Sequence, residues 1–134
     1  MYLALLNKEQ KECFLGLAYN ISNIDGNYSE SEQKQLESYC DEMNIDYSDF
    51  VAKKDLKKLF SNLSDIFDER TIKIVAFELI GLAMVDNNFD KSEYDMINKI
   101  IGSFAIDSDF IKNSQILIQT YLEVQFNINA LILS

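Results

Sequence analysis

The segment DGNYSESE at residues 25–32 recurs as DNNFDKSE at residues 86–93, 61 positions further along the chain. The correspondence continues to residues 46 and 107, with six identities in 22 aligned positions. Chance alone gives about one or two identities over such a length. We therefore interpret the chain as an internal duplication, with a first repeat at about residues 8–60 and a second at about 69–127.

Apolar residues follow each loop with the i, i+3, i+4, i+7 spacing of a buried helical stripe. They are Leu36, Tyr39, Cys40 and Met43 in the first repeat, and Ile97, Ile100, Ile101 and Phe104 in the second. The helix before each loop has a similar stripe, predicted at Phe14, Leu17, Ala18, Ile21 and Ile24, and at Ile72, Val75, Ala76, Leu79, Leu82 and Ala83. With no proline and only four glycines, the sequence predicts an all-α protein. We expect a compact bundle of about six to eight helices that forms one domain over residues 1–134.

The chain continues helically after each unit. We predict helix from Asp49 to Phe60, a short segment near residues 63–67, and a last helix from Asp109 to about Asn127, with Asp107 or Ser108 as its cap. Asn7 with Gln10, and Asp68 with Glu69 in the following turn, fit the starts of the first helices of the two repeats. The apolar stretch at residues 116–133 is interrupted by five polar residues, and we interpret it as a core helix rather than a membrane span.

The formal net charge of −10 and the pI near 4.3 decide which partners suit this surface. Such a surface repels phosphates and anionic headgroups, so we expect no direct nucleic-acid binding and no membrane insertion. We expect instead a protein partner with a basic surface. Residues 1–6 lack the features of a signal peptide, and the two cysteines, Cys13 and Cys40, fit buried free thiols in a reducing cytoplasm.

Part of each acidic loop fits a capping box. Ser29 with Glu32, and Asp90 with Glu93, have the spacing at which a side chain and a backbone N–H satisfy each other at a helix start. Tyr28 and Phe89, one residue before each cap, occupy the position of a hydrophobic staple. Capping explains these residues without any ligand.

Capping does not explain the aspartate and asparagine that begin each loop, whose oxygens are the kind that hard cations bind. The loops are not EF-hands, because Glu30 and Lys91 stand where glycine is needed, and Leu36 and Ile97 where a bidentate glutamate is needed. A smaller site for Ca²⁺ or Mg²⁺ is one alternative, and caps alone are the other. The candidate ligands are Asp25, Asn27, Glu32, Asp86, Asn88, Asp90 and Glu93.

Several kinds of chemistry lack their residues. The chain contains no histidine, which removes the usual Ser–His and Cys–His nucleophiles and, with no paired cysteines, the usual zinc sites. It has neither a P-loop nor a GxGxxG motif. We therefore expect a protein that is not an enzyme.

The repeated loop resembles that of the TerB-like (tellurite-resistance protein B) superfamily, in which two helices are joined by an acidic Asp-Gly-x-aromatic-Ser/Asp-x-x-Glu loop that occurs twice. The first copy matches at Asp25-Gly26-Asn27-Tyr28-Ser29 and Glu32, and the second at Asp86, Phe89, Asp90 and Glu93. Ile24 and Val85 replace the usual alanine, and Asn87 replaces the glycine. The resemblance implies an all-helical cytoplasmic protein of bacterial or phage type, linked to tellurite resistance, stress response or phage defence, whose acidic residues bind metal.

These observations predict an acidic binding module that takes a divalent cation, a basic partner surface, or both. Two alternatives stay open. The chain could be a protein–protein adaptor whose loops are only caps, or an acidic decoy that inhibits a basic nucleic-acid-binding partner.

Overall fold

The computed structural model describes residues 2–24, 30–46, 56–84 and 89–134. Within these ranges the chain forms a short 3₁₀ helix, Leu3–Leu5, and seven α-helices, with no strand. The α-helices are α1 (Lys8–Ser22), α2 (Glu30–Met43), α3 (Leu56–Ser61), α4 (Leu63–Ile66), α5 (Glu69–Ala83), α6 (Lys91–Gly102) and α7 (Asp109–Leu133). The predicted all-α bundle of six to eight helices is confirmed.

The helices are arranged around α5, which packs against α1, α6 and the first turns of α7. Helix α1 also contacts α2 and α3, so α1 and α5 join the two repeats. The side chains that meet there form one hydrophobic cluster, with Phe14, Leu17, Leu79 and Ile97 fully buried. Phe14 and Tyr39 pack edge to face with ring centroids 5.1 Å apart, a favourable geometry for aromatic pairs.

The predicted stripes are the faces that this core buries. Leu36, Tyr39, Cys40 and Met43 are at most 3% exposed. In the second repeat Phe104 is half-buried against the same cluster, while the other three stripe residues are fully buried. The prediction is wrong for Ile24, which is 39% exposed. It lies beyond the end of α1, so the helical period no longer directs its side chain to the core.

Helices α1 and α5 begin at the caps that the sequence predicts. The Asn7 side chain accepts from the Gln10 backbone N–H at 2.9 Å, and the Gln10 side chain accepts from the Asn7 N–H at 2.9 Å. At α5 the Asp68 side chain accepts from the Thr71 N–H at 2.8 Å, and the Thr71 hydroxyl takes the returning bond. The bond from the Thr71 backbone N–H, more than any other influence, lowers the pKa of the Asp68 carboxyl, since it stabilises the charged form.

Helices α2 and α6 end in the same way, at the same 61-residue offset. Asn44 and Ala105, which follow these helices, have left-handed backbones with φ of 58° and 55°. The N–H of the next residue then bonds back over five positions, from Ile45 to the Cys40 carbonyl at 2.8 Å and from Ile106 to the Ile101 carbonyl at 3.1 Å. The N–H groups of Asn44 and Ala105 themselves bond to the carbonyls three residues earlier. The two kinds of bond together form a Schellman motif at the end of the helix in both repeats. The duplication therefore extends to backbone geometry.

The chain after each unit differs from the sequence-based expectation. The predicted helix from Asp49 to Phe60 is seen from Leu56 onward, and residues 47–55 lie outside the described residues. Its C-terminal counterpart, α7, continues to Leu133, six residues beyond the predicted end. Within the linker candidate Ser61–Asp68, the short helical segment predicted near residues 63–67 is confirmed as α4.

Candidate functional site

The second acidic loop ends in a complete capping box. The Asp90 side chain accepts from the Glu93 backbone N–H at 2.9 Å, and the Glu93 side chain accepts from the Asp90 N–H at 3.1 Å. Glu93 is buried, and Phe89 packs beside Tyr94 with ring centroids 6.2 Å apart. The capping interpretation of Asp90 and Glu93 is confirmed.

The structure describes three of the seven predicted cation ligands, namely Glu32, Asp90 and Glu93. Asp25, Asn27, Asp86 and Asn88 lie outside the described residues, as does Ser29, the predicted capping partner of Glu32. Glu32 itself is buried in the first turn of α2, at the place that Glu93 occupies in α6. Among the residues that the structure describes, no three histidine, cysteine, aspartate or glutamate side chains lie close enough together to hold a metal ion.

Both cysteines are free and buried, as predicted. Burial, together with the neighbouring carboxylates of Asp41, Glu37 and Asp46, raises the pKa of the Cys40 thiol to about 11. The thiol of Cys40 is therefore protonated at neutral pH and is a poor nucleophile and a poor metal ligand.

The exposure of helix α7 was not predicted from the sequence. Its first turns dock on the core through Ile111 and Ser114, which are buried. From Gln119 to Ser134 every residue is exposed, so the last four turns of the helix, about 22 Å at 1.5 Å per residue, are not buried in the body of the protein. The prediction of a core helix over residues 116–133 is wrong beyond Ile118, which still packs against the core, because the described part of the chain buries none of the residues that follow it.

The exposed part of α7 is apolar. Ten large apolar side chains on it are each at least 45% exposed: Ile116, Leu117, Tyr121, Leu122, Val124, Phe126, Ile128, Leu131, Ile132 and Leu133. Glu123 is the only charged residue between positions 113 and 134. By length and composition alone α7 is long and apolar enough to cross a membrane. Contiguous apolar surface of this extent is uncommon on a soluble monomer.

A groove of about 730 Å³ lies where α7 leaves the body. One wall belongs to α2 and α5, with Tyr39 and Glu78 facing the groove, and the other belongs to α7, with Leu117 and Tyr121. Tyr39 is fixed there, because its buried hydroxyl donates to the Glu78 carbonyl oxygen at 3.0 Å. The groove therefore extends the apolar face of α7 onto a rigid surface.

The N-terminal segment is held near the same groove. The backbone N–H groups of Tyr2 and Leu3 donate to the carboxylates of Glu78 and Glu42, at 3.3 and 3.0 Å. Both carboxylates belong to residues that also line the groove. These bonds place two carboxylates beside the apolar wall of the groove.

No family model, curated protein or solved structure matches this chain. The resemblance to the TerB-like family rests on the two loop motifs quoted above and stays a prediction.

Proposed function

We propose that this protein is a non-catalytic interaction module in which α7 is the docking element. The observation that supports the proposal is the exposure of ten large apolar side chains on one helix that is almost free of charge. Its first turns are anchored in the core by Ile111 and Ser114. The body therefore presents the helix in a fixed direction, and the partner binds along the part that extends beyond it.

An exposed helix of this kind is stable only when another surface covers it. The exposed part, residues 119–133, spans about four turns, and isolated helices of ~12–15 residues are marginal in water. Its few internal supports are weak, such as the bond from the Gln119 side chain to the Glu123 carboxylate at 3.3 Å. Binding of a partner supplies the missing apolar contacts, as in other complexes where a helix docks along a groove or along another helix.

The adaptor hypothesis thereby gains a specific surface. A basic partner surface would meet the acidic body, while α7 itself offers contacts that depend little on charge. The two contributions are separable by salt, because screening weakens contacts between exposed charges and leaves apolar contacts largely intact.

The test is position-specific photo-crosslinking of the full chain inside the cells that produce it. A photoreactive phenylalanine replaces Tyr121 on the apolar face or, as a control, Lys112 on the same helix. Lys112 lies nine positions earlier, half a turn out of phase. We expect a discrete protein adduct from position 121 only, abolished by the additional substitution Val124→Glu. Adducts with lipid alone, or equal adducts from both positions, would refute the proposal.

Divalent-cation binding by the acidic loops is a second proposal. The observation that favours it is the recurrence of Glu32 and Glu93 at equivalent places in the first turns of α2 and α6, directly after each acidic loop, since carboxylate oxygens are the ligands that hard cations prefer. In the second loop Glu93 already accepts a capping bond from Asp90, so a cation would have to share this carboxylate. Comparing calcium with sodium at matched ionic strength tests the proposal.

A further inference from the structure

We infer that the partner of α7 is a second copy of this chain, whose α7 pairs with it in the antiparallel direction. The inference rests on the proposed function and adds the identity of the partner. Three observations support it: the spacing of the apolar residues, the distribution of charge, and the area available for burial.

The spacing of the apolar residues suits another helix with the same pattern. Leu117, Tyr121, Val124, Ile128 and Leu131 follow one another at intervals of four, three, four and three residues. This alternation defines the seam of a two-helix coiled coil, in which each seam side chain fits between residues of the facing helix. In the rest of the described chain, the apolar stripes of α1, α2, α5 and α6 are already buried in the core. The matching seam left exposed is thus that of a second α7, which makes the contact self-complementary, as in most symmetric dimers.

The distribution of charge sets the direction of pairing. Each copy carries a net charge of −10, so two bodies side by side would repel each other. Parallel pairing would bring the bodies together. Antiparallel pairing places them at opposite ends of a helix pair of about 22 Å, well beyond the screening length of ~8 Å at physiological salt. The one charge on this part of α7, Glu123, lies two positions from Tyr121 and so points away from the seam.

The available area matches a small specific interface. A Leu or Ile side chain loses roughly 60–120 Å² of apolar surface when fully buried. The six exposed apolar side chains on or beside the seam therefore supply on the order of 350–450 Å² per copy, or ~700–900 Å² for the pair, with adjacent polar atoms adding to this. Specific interfaces begin at about 1,000 Å² in total, so we expect a dimer that dissociates in the micromolar range. The six residues are Leu117, Tyr121, Val124, Ile128, Leu131 and Ile132.

The experiment measures the mass of the purified full chain by light scattering after gel filtration and by sedimentation equilibrium. We expect twice the 15.5 kDa of one chain at tens of micromolar, with dissociation on dilution. Val124→Glu should weaken dimerisation by about 100-fold or more, since it sets like charges against each other across the seam. Ala130→Glu adds the same charge nine positions from Tyr121, on the opposite side of α7, and should leave the dimer intact. Circular dichroism verifies that the body of each variant stays folded.

The direction of pairing is tested with Leu131→Cys. In an antiparallel pair the two introduced thiols lie ~20 Å apart, so no disulfide forms under mild oxidation. The native cysteines are buried and do not interfere. A rapid disulfide-linked dimer of this variant would overturn the antiparallel arrangement.

The two proposals fail in different ways. A wild-type chain that stays monomeric, or a dimer that survives Val124→Glu, would overturn the inference. If the Tyr121 crosslink then identified a different protein, the proposed function would stand. If the Tyr121 crosslink identified only lipid, both would fall, and α7 would be a membrane-binding helix.

Discussion

Replacing Ala105 by glycine should stabilise this protein, although it removes a methyl group. Ala105 ends α6 with a φ of 55°, and a left-handed backbone costs a residue with a Cβ roughly 1–2 kcal/mol. Glycine avoids this cost but gives up about 0.4–1 kcal/mol, because it increases the freedom of the unfolded chain. The difference predicts a gain of about 0.5–1 kcal/mol. For a chain of this length that corresponds to a rise of ~1–4 °C in the melting temperature.

The first repeat provides the matched control. Asn44 occupies the equivalent place with a φ of 58°, and asparagine tolerates this conformation better than alanine does. Asn44→Ala should therefore destabilise the protein by about 0.5–1 kcal/mol. Urea and thermal unfolding of both variants measure the two changes. A loss of stability in Ala105→Gly, or no change in Asn44→Ala, would show that the two helix ends do not share the left-handed geometry.

Three further predictions concern the caps, the α5–α7 contact and the loops. Glu93→Ala should cost about 0.5–2 kcal/mol in unfolding free energy, the usual scale for a cap; a loss near zero would mean that the bond to Asp90 contributes nothing. Gly81→Ala should stabilise α5 by up to ~1 kcal/mol, because alanine is the better helix former and its methyl would meet Ile118 Cδ1 at an ordinary 3.9 Å; a loss of stability would mean that α7 packs closer to α5 than this. If the loops bind calcium with a Kd of ~10⁻⁴–10⁻³ M, 10 mM CaCl₂ should add about 1.4–2.7 kcal/mol beyond NaCl at equal ionic strength, and Asp86→Asn should remove this excess; equal effects of the two salts would leave the loops as caps.

The helical core was predictable because it follows from periodicity. Each stripe combines apolar residues at helical spacing with polar residues between them, so only one face can be buried. The duplication strengthened this prediction, since the same spacing occurs twice at one offset. Ile24 shows the limit of the argument, because periodicity ends where the helix ends, and the sequence did not fix that residue.

The starts of α1, α5 and α6 were predictable because a cap involves neighbours only three residues apart. At α7, where Asp107 or Ser108 was the predicted cap, the N-cap residue is Ser108 but its side chain makes no capping bond. The pairs at Asn7 and Asp90 follow a pattern that can be recognised locally. At Asp68 the partner is Thr71, whose hydroxyl takes the role usually given to glutamate or glutamine. The end of α6 could not be predicted in this way, since glycine or asparagine is expected at a left-handed position and the residue there is Ala105.

The exposure of α7 could not be predicted from its own sequence. A stretch rich in Leu and Ile fits equally well inside a bundle, along a partner or in a membrane. Which of these applies depends on whether the remaining helices leave room for it in the core. Here α5 accepts α7 only as far as Ile118, and the described chain buries none of the residues that follow it. The candidate docking surface is thus a property of the packing as a whole.

The negative charge of the body and the exposed apolar surface of α7 together limit the number of copies that can associate. Once two copies cover each other's seams, Phe126 and Leu133 stay exposed on the other side of α7, but the two bodies of charge −10 repel any further copy. An apolar helix on a neutral body would have no such limit and would favour open-ended aggregation. The strong negative charge, which at first suggested only solubility or a basic partner, therefore has a further role in this arrangement. It allows a helix with so much exposed apolar surface to form a dimer that does not associate further.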